Sequence, residues 1–379
     1  MNESNPKTTI VVGICIGVLL ATVGYTFVLR HQANEAEATR IAEQLEAEKA
    51  AIAAKGDPNA VALTPRRVTM LKLAHGLKPD HPVHIGMLEM NKALDDLSGG
   101  TMKLEIYHSG QFGGESMVLD NVKTGGLAMT KVSAANLENY NKTMGVFTLP
   151  YIFKNRPHYW AFLDSPAAKK LLLCAIPHNL RGLCYYDAGS RNLYINKKTN
   201  RAIEKPEDLK GLKIRVMGSK NMMNMISAFG GTGVPRPWGE LYTDLQNGVV
   251  DGAENNPPSF LSAKHFEASS YFCLNAHLRI PDMLMVSEIA WKKLTTQQQK
   301  WLTQAANASS QFQRKLWAKE SKAALDTVAK AGVKIITYTP EQLEAFAAKV
   351  RPLVETARKD NKKIDAILKD IHSAIPASN

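Results

Sequence analysis

Apolar and polar positions follow two different periods along the chain. Residues 68–73 alternate with the period of a strand, residues 84–97 carry apolar side chains at helical spacing, and Met102–Tyr107 alternates again. Ser98-Gly99-Gly100 ends the helical stretch, because glycine is favoured just after a helix. Strands separated by a helix of this length predict an α/β lobe with a mostly parallel sheet.

The same alternation of elements continues beyond this first unit. Thr339-Pro340-Glu341-Gln342 predicts a helix start with Pro at its first position and Gln at its third. A short apolar stretch at 249–250 precedes Asp251-Gly252. Further strands are predicted at 182–186, 212–216 and 333–338. The chain is therefore predicted to be α/β throughout.

One predicted helix is unusually long. Residues 296–331 contain neither Gly nor Pro, Thr295 and Gln298 form an approximate capping box, and Gly332 supplies the stop. At 1.5 Å per residue this helix is about 50 Å long, which is too long for one small lobe. We therefore expect it to run along two lobes.

The N-terminal region has a different character. Residues 8–29 contain no charged side chain and would span about 30 Å as a helix, the thickness of a bilayer core. That length exceeds the apolar region of a secretory signal, which predicts an uncleaved transmembrane anchor over 1–30. A cleaved signal stays an alternative, because Ala33 and Ala36 suit a signal peptidase.

A helical stalk and linker are predicted to follow over 31–67. Residues 31–55 are rich in Ala, Glu, Gln and Lys and contain neither Gly nor Pro, a composition with high helix propensity. Gly56-Asp57-Pro58 stops the helix.

Composition indicates a globular protein with an anionic partner. Hydrophobic residues make up 45% and charged residues 22% of the 379 residues, which excludes a disordered chain and provides for two lobes. The formal charge of +12 favours anionic ligands in general. Because the basic residues are scattered and no nucleic-acid motif accompanies them, no nucleic-acid partner is predicted.

The four cysteines show no metal-binding or redox spacing. Cys15 lies in the apolar N-terminal stretch, and Cys174, Cys184 and Cys273 lie in the body without a CxxC motif. A disulfide between Cys174 and Cys184 is an open alternative for an extracytoplasmic body. Buried thiols are the favoured interpretation, because free cysteine behaves as a small core residue.

No familiar catalytic signature is present. The chain lacks G-x-S-x-G, H-E-x-x-H, the Walker A loop and a G-x-G-x-x-G after a strand, so we predict that it is not an enzyme. His75, His81 and His84 match no standard metal spacing, and we predict neither a metal nor a cofactor. His81-Pro82 instead suggests a helix start.

Arg215 is the strongest candidate for ligand binding. It lies near the end of a predicted strand among apolar residues, in the segment EDLKGLKIRV (207–216). Arginine presents a rigid fork of donors that suits bidentate recognition of a carboxylate. The alternative is a strand-end arginine that reaches solvent or pairs with Glu254.

Several separated motifs resemble one family. The segments 207–216, 237–257 (PWGELYTDLQNGVVDGAENNP), 98–115 and 147–153 occur in an order similar to that in the solute-binding subunits of TRAP transporters, the DctP-like family. The resemblance extends over nearly all of residues 68–360. It implies two α/β lobes of the periplasmic-binding-protein type that are crossed by a long helix and close on a small organic acid.

The resemblance also implies partners and a location. Proteins of this family deliver their ligand to a permease with a small and a large membrane subunit. The expected location is therefore the periplasm, with the body tethered to the inner membrane by the N-terminal helix, or soluble if a signal is cleaved.

The resemblance assigns roles to individual positions. Arg215 resembles the carboxylate-binding arginine, Asn255 a polar residue that faces the cleft, Trp238 an aromatic wall, and Arg191 a second basic residue. Weaker matches, at positions that vary with the ligand, are His75, Ser133, Tyr151 and His277. Trp238 and Tyr151 could instead be core aromatics, and His277 a buried histidine with satisfied hydrogen bonds.

One departure from the family concerns residues 126–131. The family commonly has an acidic residue in this strand, whereas this chain has Gly126-Leu127-Ala128-Met129 and Lys131. An inward Lys131 would make the pocket more cationic, and an outward one would have no consequence.

The expected lobes are 68–190 with 279–312, and 191–278 with 313–379. Two other functions stay open: a sensor subunit that reports ligand to a membrane kinase, and, less favoured, an enzyme that uses the same cleft.

Overall fold

The computed structural model describes residues 68–374. The chain begins with β1 (Thr69–Ala74), α1 (Pro82–Ser98) and β2 (Met102–Tyr107), and β1 pairs in parallel with β2. His81 is the N-cap of α1, where its Nδ1 accepts the amide proton of Val83 at 3.2 Å. Gly99 ends the helix in the left-handed conformation, with φ of 57°. The predicted β1-α1-β2 unit is therefore confirmed.

Two mixed sheets form the framework of residues 68–374. The first sheet has the order β2-β1-β3-β10-β4, and the second has the order β11-β9-β5-β8-β6-β7. The other strands of the first sheet are β3 (Met129–Ser133), β4 (Leu180–Tyr186) and β10 (Asp282–Ser287). The second sheet contains β5 (Arg191–Asn196), β6 (Lys213–Val216), β7 (Thr232–Pro235), β8 (Gly252–Asn255), β9 (Ser269–Leu278) and β11 (Lys334–Ile336).

The expectation of mostly parallel sheets is wrong for several pairings. Strand β10 is antiparallel to β3 and β4, and β5 is antiparallel to β8 and β9. The reason is the way in which the chain changes sheet. Residues 187–190 and 279–281 join β4 directly to β5 and β9 directly to β10, so β5 and β10 start where the parallel strands of their sheets end.

Helices cover the two sheets. Those after α1 and before the long helix are α2 (Glu115–Thr124), α3 (Arg156–Leu163), α4 (Pro166–Leu172), α5 (Lys220–Ala228), α6 (Leu241–Asn247), α7 (Pro257–Ser262) and α8 (Glu288–Trp291). Short 3₁₀ segments lie at Ala134–Asn139, Lys142–Thr148, Ile176–His178, Pro206–Leu209, Trp238–Glu240 and His265–Ala268.

The long helix is α9 (Thr296–Lys330), close to its predicted bounds. Thr295 and Gln298 form the predicted capping box. The N-terminal half of α9 packs on α1 and β4 and buries Leu302 in the apolar core of the first sheet. The C-terminal half buries Val328 in the core of the second sheet. One helix thus contributes side chains to the cores of both sheets.

Two helices follow β11. The first is α10 (Pro340–Asp360), with the predicted capping box of Thr339 and Gln342, and it packs on α5 and β9. The second is α11 (Lys362–Ser373), which packs on α10, on α3 and on the 3₁₀ segment Lys142–Thr148. Its buried residues Ile364, Ile367 and Ile371 recur at helical spacing, which explains the apolar face that it presents.

The cysteines of the described body are free thiols. Cys184 and Cys273 are buried, as favoured above, whereas Cys174 is partly exposed. Burial raises the pKa of the Cys174 and Cys273 thiols to about 11. The predicted membrane anchor and stalk lie in residues 1–67, outside the described residues. Across 68–374, no helix is both long and apolar enough to span a bilayer.

Candidate functional site

A cleft lies where strands of the two sheets end. His75 follows β1 and Ser133 ends β3 in the first sheet, while Arg215 and Asn255 lie at or near the carboxyl ends of β6 and β8 in the second. Contacts between the two sides are direct. His81 Nε2 lies 3.0 Å from Ser259 Oγ on α7, and a Cβ placed on Gly76 would lie 3.7 Å from Trp238 Cδ1. Polar side chains of both sheets therefore meet in this cleft.

Arg215 is a buried cation without an anionic partner in residues 68–374. Arg215 is only 3% exposed to solvent. Nε and Nη2 donate to the carbonyl oxygen of Arg236 at 2.9 and 2.8 Å, and Nη1 makes no hydrogen bond within the described residues. Burial lowers the pKa of the guanidinium, and repulsion from Arg191 acts in the same direction. Such a group is costly to bury unless an anion joins it.

Trp238 adds an aromatic face to the same place. The Arg215 guanidinium carbon lies 5.8 Å from the centre of the indole ring, and the ring of His265 packs on that indole at 4.8 Å. Trp238 is only partly buried. An aromatic face beside a cation suits a ligand with both a carboxylate and an apolar ring surface.

Arg191 has a different environment from Arg215. It forms a bidentate ion pair with Glu254, in which Nε donates to Oε2 and Nη2 to Oε1 at 2.8 Å, and Nη2 also donates to the Glu254 carbonyl at 2.9 Å. Burial acts against ionisation of Glu254, but Arg191 and His277 outweigh it and lower the pKa of this carboxyl. The pair is therefore charged and internally compensated. Glu254, which was considered above as a partner of Arg215, is the partner of Arg191.

His277 completes this arrangement on strand β9. Its Nε2 lies 3.5 Å from Glu254 Oε2, and its Nδ1 lies 3.0 Å from Asn275 Oδ1. Burial lowers the pKa of His277, although Glu254 opposes the change. His277 therefore contacts the ion pair of Arg191 and Glu254 within the protein interior.

Lys131 points inward but is compensated by two carboxylates. Its Nζ lies 3.1 Å from Glu115 Oε1 and 3.2 Å from Asp282 Oδ2. Burial acts against the ammonium, but Asp282 and Glu115 together raise the pKa of Lys131. Neither outcome expected for Lys131 describes this geometry fully, because an inward lysine here does not make the pocket more cationic.

Glu115 and Asp282 are functional candidates that the sequence analysis missed. Glu115 Oε2 accepts the amide proton of Ser133 at 3.1 Å and a proton of Asn136 Nδ2 at 2.5 Å. The carboxylate is close enough to Arg215 to favour the charged guanidinium. The available signal was the position of Glu115 at the first turn of α2, directly after Gly113-Gly114.

Of the three histidines near β1, two contact each other and the third contacts a serine of α7. His75 Nε2 lies 3.0 Å from His84 Nδ1, while His81 contacts Ser259 across the cleft. Burial, reinforced by Lys131, lowers the pKa of His75 to about 2 and that of His81 to about 3. Across residues 68–374, no group of three or more His, Cys, Asp or Glu side chains is arranged to hold a metal ion.

The other predicted positions fall into two places. Asn255 is buried beside Glu254 and accepts the Asn256 amide proton at 2.9 Å, and Ser133 caps the 3₁₀ segment that follows β3. Tyr151 lies beside β9, where its hydroxyl donates to the Asn275 carbonyl at 3.1 Å. The ring of Tyr151 also lines an outer groove of about 630 Å³. The structure therefore groups Asn255 and Ser133 with the strand ends, whereas Tyr151 contacts the backbone of β9.

The first crossing between the sheets is held by a buried carboxylate. Asp187 accepts protons from Arg156 Nε at 2.7 Å, Trp160 Nε1 at 2.9 Å and the Gly189 amide at 2.8 Å. Gln313 on α9 binds both the amide and the carbonyl of Asp187, each at 2.8 Å. The crossing is therefore anchored to the long helix, by contacts between residues 126 positions apart that no local sequence pattern predicts.

Two mixed α/β sheets with polar side chains at their strand ends give a fold of the periplasmic-binding-protein type. The model of the bacterial extracellular solute-binding proteins, family 7 (DctP), matches residues 73–360. The chain belongs to this family. Its expected classification as a solute-binding protein and not as an enzyme is confirmed.

Individual relatives support the same assignment. The protein YiiZ of Salmonella typhimurium is 34% identical over 253 residues, which are 66% of this chain and 76% of the relative. A TRAP periplasmic solute-binding protein from Anaerococcus prevotii with bound glucuronate superimposes with a TM-score of 0.78 at 28% identity, over 82% of this chain and 100% of that one. The sugar acid binding protein DctPAm of Advenella mimigardefordensis, in complex with galactonate, superimposes with a TM-score of 0.78 at 28% identity. The match covers 81% of this chain and 99% of that one.

Proposed function

We propose that this protein captures a sugar acid with a single carboxylate and delivers it to a TRAP-type permease. The observation that carries the proposal is Arg215, a buried guanidinium with no carboxylate partner within residues 68–374. A ligand carboxylate would supply the missing charge and a charge-assisted hydrogen bond to Nη1. Exclusion of water from the closed cleft would strengthen that bond.

The charges around Arg215 support one carboxylate and not two. Arg191 is already paired with Glu254, and Lys131 with Glu115 and Asp282. Of Arg191, Lys131 and Arg215, only Arg215 lacks an anionic partner within residues 68–374. Relatives of known structure were solved with glucuronate or galactonate, which carry one carboxylate and several hydroxyl groups. His75, Ser133, Asn255 and Trp238 provide polar groups and a ring surface for the remainder of such a ligand.

Capture is proposed to occur by hinge closure. The lobes would be residues 68–190 with 279–312 and residues 191–278 with 313–379. Two crossings of three or four residues and the helix α9 connect the sheets, and short connections of this kind permit rotation of one lobe against the other. The contact between His81 and Ser259 would close the cleft on the side of α1 and α7.

Delivery is proposed to occur from a body tethered to the periplasmic face of the inner membrane. The uncharged stretch 8–29 has the length of a membrane-spanning helix, and the stalk 31–67 would separate it from the lobes. The small and large membrane subunits of the permease would be the partners. A soluble body after cleavage near Ala36 is the alternative.

The test is calorimetry on the full-length protein in mild detergent. D-glucuronate, D-galacturonate and D-galactonate are compared with D-glucose and D-galactose, which lack the carboxylate. We expect saturable binding of at least one acid and no detectable binding of the neutral sugars. Equal affinity for an acid and its neutral counterpart would contradict the proposal.

A further inference from the structure

The strand ends of the first sheet hold a small acidic cluster, composed of Glu115, Lys131 and Asp282. Lys131 Nζ lies 3.1 Å from Glu115 Oε1 and 3.2 Å from Asp282 Oδ2. The cluster joins three elements: the first turn of α2, strand β3 and the start of β10. With both carboxylates and the ammonium charged, it carries one net negative charge.

The cluster exposes its carboxylates more than its ammonium. The Lys131 side chain is 3% exposed, whereas those of Glu115 and Asp282 are 20% and 11% exposed. Asp282 Oδ1 has no hydrogen-bond partner within residues 68–374, and each carboxylate oxygen can accept more than one proton. The exposed part of this cluster therefore consists mainly of carboxylate oxygens, which accept hydrogen bonds.

The cluster lies beside Ser133, at the strand ends that border the cleft. The Ser133 amide donates to Glu115 Oε2 at 3.1 Å, and Asp282 lies opposite Ser133 in the pairing of β3 with β10. Glu115 acts electrostatically on Arg215, and Arg191 acts on Asp282, although both arginines belong to the second sheet. One side of the cleft thus carries the unpaired cation Arg215, and the other side carries the net negative charge of the cluster.

We infer that the acidic cluster binds hydroxyl groups of the sugar acid and excludes a second carboxylate. The inference rests on the proposed function and adds a rule of selection to it. A hydroxyl group donates to a carboxylate oxygen, so a uronate or aldonate whose carboxylate lies on Arg215 satisfies the acceptors of the cluster. A second carboxylate at that end has no proton to donate and meets a like charge in a site shielded from water.

The rule separates ligands that differ in one terminal group. D-galacturonate and D-galactonate carry one carboxylate, and galactarate has the same carbon chain with a carboxylate at each end. We expect the protein to bind galactarate at least about a hundredfold more weakly than the better of the two monocarboxylates, because juxtaposed like charges are strongly unfavourable in a desolvated site.

The cluster could instead serve only to hold α2, β3 and β10 together. In that case its substitution would change stability, or would weaken all ligands to the same extent. The affinity ratio between galactarate and a monocarboxylate distinguishes the two possibilities, because a purely structural role does not move it.

The experiment measures that ratio by calorimetry for the full-length wild type, Glu115→Gln and Asp282→Asn. Each substitution removes one negative charge and keeps the size of the side chain. We expect the galactarate-to-monocarboxylate affinity ratio to rise at least about fivefold in each variant that folds. Either variant alone suffices if circular dichroism shows that the other is unfolded.

Glu288→Gln is the matched control. Glu288 is also a buried carboxylate in an ion pair, with Arg181 Nε at 2.7 Å, but it follows the opposite end of β10 from Asp282. The galactarate-to-monocarboxylate affinity ratio of Glu288→Gln should equal that of the wild type. Wild-type affinities for galactarate and galacturonate within threefold of each other, or an unchanged ratio in the folded variants, would overturn the inference. Absence of wild-type binding to every sugar acid would instead refute the proposed function and the inference with it.

Discussion

Arg215 donates two hydrogen bonds to one oxygen atom, the carbonyl of Arg236, from Nε at 2.9 Å and Nη2 at 2.8 Å. This carbonyl lies in a segment that is itself fixed, because the Arg236 side chain binds both oxygens of Asp244 at 2.9 and 3.1 Å. The guanidinium is therefore held in one orientation before any ligand arrives. Preorganisation of this kind reduces the entropy lost on binding.

The first prediction follows from this orientation and concerns Arg215→Lys and Arg215→Ala. An ammonium is a point charge and cannot both bind the Arg236 carbonyl through two N–H groups and present a third to a carboxylate. Loss of one partner of a buried ion pair costs about 3–5 kcal/mol, so each variant should bind its best sugar acid at least about a hundredfold more weakly. Calorimetry measures the change.

Arg201→Ala is the control for this series. Arg201 is an exposed arginine that also donates to backbone carbonyls, those of Asp208 and Lys210, both at 3.2 Å. Its removal should leave the affinity within about fivefold, because exposed charges contribute about 1 kcal/mol or less. Retention of wild-type affinity by folded Arg215→Ala would remove this residue from the site.

The second prediction concerns the pH dependence of stability. His75, His81 and His265 are neutral in the folded protein, where burial is the main cause that lowers their pKa values to about 2, 3 and 3. An exposed histidine in the unfolded chain has a pKa of 6.5. Below pH 6.5 the unfolded chain therefore binds protons that the folded protein does not. Their contribution to stability is complete above pH 6.5 and decreases by about 1.4 kcal/mol per pH unit for each histidine as the pH falls.

Thermal or urea unfolding between pH 7.5 and pH 5 checks this dependence. His81→Asn keeps a polar group that can reach Ser259 and removes one titrating site. We expect the slope of unfolding free energy against pH to be shallower by about 1.4 kcal/mol per pH unit in this variant. Identical slopes in the variant and the wild type would show that His81 is not neutral in the folded state.

The third prediction concerns the close approach of two strands at Gly252. A Cβ at this position would lie 2.3 Å from the Tyr194 carbonyl oxygen and 2.9 Å from Ile195 Cδ1, so Gly252→Ala requires the backbone of β5 or β8 to shift. Overpacking of this kind costs about 1–3 kcal/mol. The decrease in the free energy of unfolding is measured with urea.

Gly239→Ala provides the comparison, because a Cβ there would meet no atom within 4 Å. Its stability should equal or slightly exceed that of the wild type, since alanine restricts the unfolded chain. If both substitutions had the same effect, the close packing of β5 on β8 would be in doubt.

The fourth prediction concerns closure. A ligand that binds only the folded, closed protein stabilises it by about 2.7 kcal/mol at a hundredfold excess over its dissociation constant. Small-angle scattering should then show a smaller radius of gyration with a saturating sugar acid than without it, whereas a neutral sugar should leave the radius unchanged. Raised thermal stability without any compaction would indicate binding to a cleft that does not close.

Local signals in the sequence specified several elements closely. The helix predicted over 84–97 is Pro82–Ser98, and the one predicted over 296–331 is Thr296–Lys330. Strand β2 has its predicted bounds of Met102–Tyr107. These elements depend on neighbours a few residues apart: caps, a terminal glycine and a regular apolar period.

Strands β5 and β9 were not predicted, because buried polar residues interrupt their apolar pattern. Strand β5 is buried at all six positions, although it begins with Arg191-Asn192, and β9 contains Asn275 and His277. Such residues are stable inside a sheet only through partners distant in sequence. Arg191 finds Glu254, 63 residues away.

The sequence by itself determined the α/β class, the long helix and Arg215 as a candidate cation, and the resemblance to a family added Arg191. It could not decide which of the two arginines would be free. Antiparallel pairing of β5 with β8 sets Leu193 opposite Glu254 and brings the Glu254 carboxylate onto Arg191, while the parallel pairing of β6 with β8 leaves Arg215 to a backbone carbonyl. Strand register is a property of the whole sheet, and it alone determines which charges meet.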